Sequence, residues 1–227
     1  MARSARNGRI VAEHEHRPVT IGPLQLPAFL DLPDHARGMV IFAHGSGSGR
    51  LSPRNSYVAL ALRNCGLATL LLDLLTPAEE LDRANVFDIP LLASRLRMAR
   101  DWTAQDPNLS RLPVGYFGAS TGAGAALVAS AGDDRISAIV SRGGRPDLAG
   151  EALQRVHAPT LLLVGGLDGA VIDLNRTAQR RISGTCELVI IESASHLFEE
   201  SGTLDEVVDH ASRWFLDHFA TRQGAAP

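Results

Sequence analysis

The segment Gly118-Ala119-Ser120-Thr121-Gly122 directly follows the apolar run Val114–Phe117 and opens a small-residue stretch of helical character. A strand that turns sharply into a helix holds its central serine in strained backbone geometry, and the flanking glycines leave room for the two elements to cross. The serine hydroxyl is then pushed out over the sheet edge. A hydroxyl is a poor nucleophile near neutral pH, so it needs an imidazole to take its proton, and the imidazole needs a carboxylate to fix its tautomer and stabilise its charged form. Asp168 stands 48 residues beyond Ser120, after the apolar run Thr160–Val164. His196 follows 28 residues later, after Leu188–Ile191, in the loop Glu192-Ser193-Ala194-Ser195-His196-Leu197-Phe198. Both fall at carboxyl ends of successive apolar runs, the edge where open α/β sheets build their sites. Ser120, Asp168 and His196 are therefore the candidate nucleophile, acid and base.

Each assignment has a plainer rival. Asp168 could be a turn residue or helix cap. Asp147 and Asp173 compete as the acid but read as helix-start residues. His210 and His218 fall on the final helical stretch, His14, His16 and His35 in the polar N-terminal region, and His157 at the wrong end of a strand. A second constellation, Phe42-Ala43-His44-Gly45-Ser46-Gly47-Ser48-Gly49-Arg50, joins the apolar run Met39–Ala43 to the next helix. Acyl transfer puts charge on a former carbonyl oxygen, and backbone amides fixed in advance can hold it. The Ser46 amide, with Gly47 as its rival, and the Thr121 amide at a helix N-terminus are the candidate donors. The loop matches neither G-x-G-x-x-G nor a phosphate loop ending in Gly-Lys-Ser/Thr, so a nucleotide is a weak reading. Arg50, Arg54, Arg142 and Arg145 lie in loops at the same edge. Such arginines are usually solvated or paired, but the planar fork of Arg50 or Arg142 could recognise an anionic group on a substrate. Phe87 and Leu91 are candidates for the pocket wall, or for core.

The elements that must position these groups alternate between short apolar runs and helical stretches, the pattern of a largely parallel sheet covered on both faces. Strands are expected at Met39–Ala43, Leu67–Leu72, Val114–Phe117, Ala138–Val140, Thr160–Val164 and Leu188–Ile191, none with a wet face. Two more, around Ile10–His14 and Leu26–Asp31, would begin the sheet as antiparallel edges. Helices are expected near Pro53–Asn64, Ile89–Gln105, Thr121–Ala131, Asp147–Gln154, Val171–Arg181 and Leu204–Phe219, the last with a capping box between Thr203 and Glu206. The chain has 227 residues, 45% of them hydrophobic, enough for one substantial core. No linker or repeat marks a second domain, so residues 1–227 read as one domain with flexible ends at 1–9 and 221–227. A formal net charge of −3 gives no field for gathering phosphates and argues against a nucleic-acid binder. No apolar stretch reaches the roughly 20 residues of a membrane span. The three arginines among the first nine residues have no apolar segment after them, as a secretory signal would require. Cys65 and Cys186 fit neither a disulfide framework nor a metal spacing, which suits a reducing, cytoplasmic setting.

Taken in order, the His-Gly-Ser-Gly loop at 44–47, the Gly-Ala-Ser-Thr-Gly turn at 118–122, the Gly-Gly-Leu-Asp turn at 165–168 and the Ser-His-Leu-Phe loop at 195–198 resemble the α/β-hydrolase superfamily. The compact length without a cap insertion most resembles its dienelactone hydrolase-like branch. The resemblance runs from about Met39 to Phe219. It implies a central, mostly parallel sheet of about eight strands, helices on both faces, no metal and no organic cofactor. One departure stands out: that branch is known for a cysteine nucleophile, where this chain has Ser120. The expectation is a serine hydrolase acting on small or short-acyl carboxylic esters in an open site. A thioesterase, peptidase or acyltransferase would share every motif, and a non-catalytic ligand-binding member would ordinarily lack a triad residue. The sequence leaves the oligomeric state open between monomer and homodimer.

Overall fold

Consecutive strand residues point to opposite faces of a sheet, and here both faces are dry. In the computed structural model, which describes residues 16–223, Ile41, Tyr116 and Ile139 enter one apolar cluster while their chain neighbours Phe42, Phe117 and Val140 enter another. A strand buried on both sides must be apolar throughout, which is why these segments read as unbroken runs.

Eight strands form one sheet: β1 (Arg17–Ile21), β2 (Leu26–Asp31), β3 (Met39–Ala43), β4 (Ala68–Leu72), β5 (Val114–Ala119), β6 (Ile136–Arg142), β7 (Thr160–Gly165) and β8 (Cys186–Ile191). Their spatial order is β1-β2-β4-β3-β5-β6-β7-β8. β1 and β2 pair antiparallel, as do β2 and β4, and every other pairing is parallel. Six helices connect them: α1 (Pro53–Asn64), α2 (Pro77–Glu80), α3 (Ile89–Gln105), α4 (Thr121–Ser130), α5 (Gly169–Gln179) and α6 (Thr203–Gln223). Leu92 and Leu96 of α3 and Leu127 of α4 complete one cluster, while Val58 and Leu62 of α1 and Phe215 and Phe219 of α6 complete the other. Gly115 of β5 makes room for the α6 rings: a Cβ there would lie 2.7 Å from Phe215 Cε1. Among the described residues no cap domain interrupts the sheet.

Several details depart from what the sequence suggests. The edge strand around Ile10–His14 lies outside the described residues, and the first strand seen is β1, whose polar, proline-containing sequence suits an outer edge. β8 is the opposite edge and is only partly covered, with Glu187 exposed, so it does have a wet face. The helix expected at Asp147–Gln154 is a 3₁₀ segment, Pro146–Arg155, broken at Gly150 where φ is 54°. Thr203 and Glu206 form no capping box: the Thr203 hydroxyl donates to the Glu200 carbonyl at 2.8 Å, and the Glu206 amide bonds the Gly202 carbonyl. A capping box stands instead at Thr76 and Glu79 of the short α2, where the sequence has the same Thr-x-x-Glu spacing. α6 runs on to Gln223, past residue 221 where a tail is expected. Among the described residues no helix is long and apolar enough to cross a membrane.

The chain order reverses where β4 is added on one side of β3 and β5 on the other, so the connections leaving β3 and β5 diverge and open a crevice at their carboxyl ends. Gly45, Ser120, Asp168 and His196 all follow the carboxyl ends of strands, β3, β5, β7 and β8 respectively, at that edge. Because Phe215 is fully buried between α6 and β5, Phe215→Ala should cost about 3–5 kcal/mol by loss of burial plus the cavity left behind. Urea denaturation measures this, and a loss below about 1 kcal/mol would show that α6 repacks freely.

Candidate active site

Ser120 occupies the turn between β5 and α4 with φ 50° and ψ −121°, a backbone conformation that L-residues adopt only when their surroundings impose it. The imposition is visible. Its amide donates to the Arg142 carbonyl at 3.2 Å, and its carbonyl accepts from the Ala123 and Arg145 amides at 3.1 Å each. On either side the backbones nearly touch: a Cβ on Gly118 would lie 2.5 Å from Ala123 Cα, and one on Gly122 would lie 2.3 Å from the Ala43 carbonyl oxygen. Glycine at both positions is what allows β5, α4 and the end of β3 to converge on the serine.

Asp168 sits at the N-cap of α5, yet its side chain makes no capping bond. Its Oδ2 lies 2.6 Å from His196 Nδ1, the side chains being 18% and 39% exposed respectively. The geometry therefore answers the plainer reading: the carboxylate is committed to the imidazole rather than to its own helix. The rival acids are engaged elsewhere, Asp147 with Arg145 and Asp173 with Arg176. His196 and Ser120 both seat on the short segment after β6. A Cβ on Gly143 would lie 3.7 Å from His196 Cε1, and the Ser120 amide is bound to the preceding carbonyl, that of Arg142. Among the described residues no hydrogen bond yet joins Ser120 Oγ to the ring. Unloaded sites commonly hold this contact long and tighten it around substrate.

The glycine- and serine-rich loop after β3 lies against the serine, a Cβ on Gly45 falling 3.2 Å from Ser120 Cβ. The amides of Ser46, Gly47 and Thr121 have no backbone acceptor among the described residues. Two groups that sequence reading passes over hold this loop. His44 is buried; its Nδ1 lies 3.0 Å from the Gly45 carbonyl and its Nε2 accepts the Leu74 amide at 3.1 Å. Those two backbone partners place the proton on Nδ1. Asp73, just past β4, accepts the Arg50 amide at 2.7 Å and pairs with the Arg50 guanidinium. The available signal was positional, since Asp73 directly follows β4, closer to its strand than Asp168 is to β7. Loop residues 44–53 form one wall of a cavity of about 620 Å³, with Asp73, Leu75, Glu80, Val86, Leu92 and Thr121 completing it.

The other residues singled out from sequence fall in different places. Arg50 lines the cavity but is spent on Asp73 and on the face of Phe29. Arg142 does not line it. Its side chain is buried, donating to Asn55 Oδ1 at 3.3 Å with its Cζ 5.9 Å from the Phe198 ring centre. Burial, and then the charge of Arg54, push its pKa down to about 10. Arg54 and Arg145 pair with Glu199 and Asp147. Phe87 is 52% exposed and leaves the cavity wall to its neighbour Val86, while Leu91 packs on the core. Among the described residues no group of three or more His, Cys, Asp or Glu side chains is arranged to hold a metal ion.

Burial holds the His44 pKa below its ordinary value, against the opposing pull of the Gly45 carbonyl, Asp73 and Glu80. The stabilisation from burying the neutral ring is complete above about pH 6.5, the unfolded value, and is lost as pH falls toward the lowered folded value. Unfolding free energy should therefore drop between pH 7 and 5.5 more steeply in the native protein than in His44→Gln. The difference should not exceed about 1.4 kcal/mol per pH unit, the limit for one proton. Parallel slopes in urea titrations at the two pH values would contradict a buried neutral His44.

No model of a known protein family matches the chain. A Mycobacterium tuberculosis protein named "Putative phosphoribosyl transferase" is 58% identical over 206 residues, which is 90% of this chain and 46% of that protein. The chain thus spans about half the length of the curated relatives it matches. Among solved structures, the dienelactone hydrolase of Anabaena variabilis is 54% identical with a TM-score of 0.86, over 90% of this chain and 97% of that one. An alpha-beta serine hydrolase homologue from Coxiella burnetii shares the fold at 22% identity and a TM-score of 0.71, covering 88% of this chain and 96% of that chain. With an eight-stranded sheet, no cap and a relative this similar along nearly its whole length, the chain belongs to the dienelactone hydrolase-like branch of the α/β-hydrolase superfamily.

Proposed function

We propose that the protein is a serine hydrolase that cleaves carboxylic esters of small or short-acyl substrates through an acyl-enzyme. Ser120 Oγ attacks the ester carbonyl as His196 Nε2 takes its proton. Asp168 holds the ring with Nδ1 protonated and stabilises the imidazolium. The Ser46 and Thr121 amides receive the negative charge on the carbonyl oxygen, helped by the N-terminal end of α4. Collapse of the intermediate expels the alcohol, which takes the proton from His196. Water then gives up a proton to His196, attacks the acyl group and releases the acid, restoring Ser120. The observation that carries this reading is the 2.6 Å contact by which a helix N-cap aspartate forgoes its helix for His196.

The same machinery serves thioesters, amides and acyl transfer, and a substrate panel separates these. The mycobacterial relative's name favours a different reading, phosphoribosyl transfer. Because this chain corresponds to 46% of that protein, the name need not describe this half. Release of pyrophosphate from phosphoribosyl pyrophosphate in the presence of a nucleobase would support it.

A fluorophosphonate probe should label the native protein and not Ser120→Ala, and ester turnover should vanish in that variant. Asp168→Asn, which keeps the shape but leaves the wrong tautomer, should lower kcat by about 10⁴-fold. Rates on p-nitrophenyl esters should fall from acetate to palmitate, in keeping with a site that no cap encloses. Labelling that persists in Ser120→Ala would overturn the assignment of the nucleophile.

A further inference from the structure

We infer that Arg142 is a positioning residue that sets His196 against Ser120, kept in the core without a counter-ion because its planar guanidinium fixes the histidine loop to the rest of the site. The inference rests on the serine hydrolase reading above and adds a residue to its machinery.

Arg142 ends β6 and is joined to both halves of the catalytic pair. Its main chain holds the nucleophile, since its carbonyl takes the Ser120 amide at 3.2 Å. The next residue, Gly143, lies against the base: a Cβ there would stand 3.0 Å from the His196 carbonyl oxygen and 3.3 Å from Phe198 Cε2. The Arg142 side chain meets the same loop from the other direction. Its Cζ is 5.9 Å from the centre of the Phe198 ring, and its Nη2 donates to Asn55 Oδ1 of α1 at 3.3 Å. Asn55 and Phe198 are each only 2% exposed, so both ends of this bridge are fixed in the core. Phe198 has φ 57°, a conformation that a bulky residue keeps only when its surroundings hold it. His196 is therefore attached to a loop that Arg142 clamps on both sides.

Folding stability alone does not account for this arginine. Arg50, Arg54 and Arg145 each pair with a carboxylate of the protein. Arg142 is 7% exposed and among the described residues meets no carboxylate, and its Nε and Nη1 have no hydrogen-bond partner. Burial, and then the charge of Arg54, push its pKa down to about 10, so the fold disfavours the charged form. The face of Phe198 offsets only part of that cost. A buried cation without a counter-ion destabilises a core that an apolar side chain of similar length would relieve. Breaches of this kind collect where a site demands them. The demand here is distance, because an imidazole misplaced by about 1 Å from its hydroxyl can lower the rate by about 100-fold.

Two variants test this: Arg142→Met alone, and Arg142→Met combined with Asn55→Leu, which leaves no carboxamide unpaired in the core. In both, kcat for p-nitrophenyl acetate should fall roughly 10- to 100-fold while KM stays within about twofold. The rate of Ser120 labelling by a fluorophosphonate should fall in step, since it needs the same proton transfer to His196. The urea midpoint of the double variant should equal or exceed that of the native protein. Arg142→Lys keeps the charge without the planar fork, and its kcat should stay within about threefold of Arg142→Met. Native kcat in the double variant, full recovery with lysine, or a urea midpoint that falls together with kcat would overturn the inference and leave the serine hydrolase intact. Absence of turnover and of Ser120 labelling in the native protein would instead bring down the hydrolase reading, and this inference with it.

Discussion

The left-handed backbone at Ser120 is the constraint on which the rest of the site depends. A residue at φ 50° with a Cβ costs on the order of 1–3 kcal/mol, and only a surrounding structure that leaves no alternative sustains it. Here that structure is the crossing of β5 and α4 at van der Waals distance, closed against the end of β3 through Gly118 and Gly122. The three hydrogen bonds to the Ser120 amide and carbonyl reach Arg142, Ala123 and Arg145. Through them the turn is locked to β6 and its following loop, on which the His196 ring also rests. The strain at one residue is thus the local expression of how several strand ends are packed together.

Around that point the loops are held by groups that do no chemistry themselves. His44 ties the β3 loop to the start of the segment after β4 through the Leu74 amide, and Asp73 ties it back through Arg50. Arg142 does the equivalent work on the other side of the sheet, joining the Asn55 amide of α1 to the ring of Phe198 in the histidine loop. Phe198 itself has φ 57° and is almost wholly buried, a second left-handed residue two positions beyond His196. The guanidinium stacked near its ring helps to keep that loop in its bent form. Backbone amides near Ser120 can stay unbonded because side chains elsewhere already hold the loop that presents them.

What the sequence made legible divides along physical lines. The inner strands were readable because burial on two faces forces continuous apolar runs, and the ends of β3 are placed to the residue. The positions of Ser120, Asp168 and His196 just beyond strand ends were readable because the strands before them are continuous apolar runs. β1 was hidden because an edge strand needs no apolar alternation, and α2 because a four-residue helix has no periodicity to detect. His44 and Asp73 were hidden for a subtler reason. Their importance lies in hydrogen bonds to the backbone of another segment, and although Asp73 directly follows its strand, nothing in residue type or spacing announces such a partner. The Thr203 capping box failed because the Gly202 carbonyl, not the Thr203 side chain, takes the Glu206 amide and the hydroxyl turns back to Glu200.

The arginines show how far residue type alone can mislead about a site. Arg50, Arg54, Arg142 and Arg145 all lie at the functional edge, and a guanidinium there suggests an anion from outside. In the folded chain three of the four meet a carboxylate of the protein itself, and the fourth is withdrawn under the histidine loop. A loop that must stay fixed while its amides remain unpaired needs strong ties that leave the backbone free, and side-chain ion pairs and charge-assisted bonds supply them. The same demand accounts for a neutral His44 at the base of the loop, since a buried charged ring would have to give up the Leu74 amide to gain a second donor. Positive charge at this edge is therefore consumed in holding the site's shape.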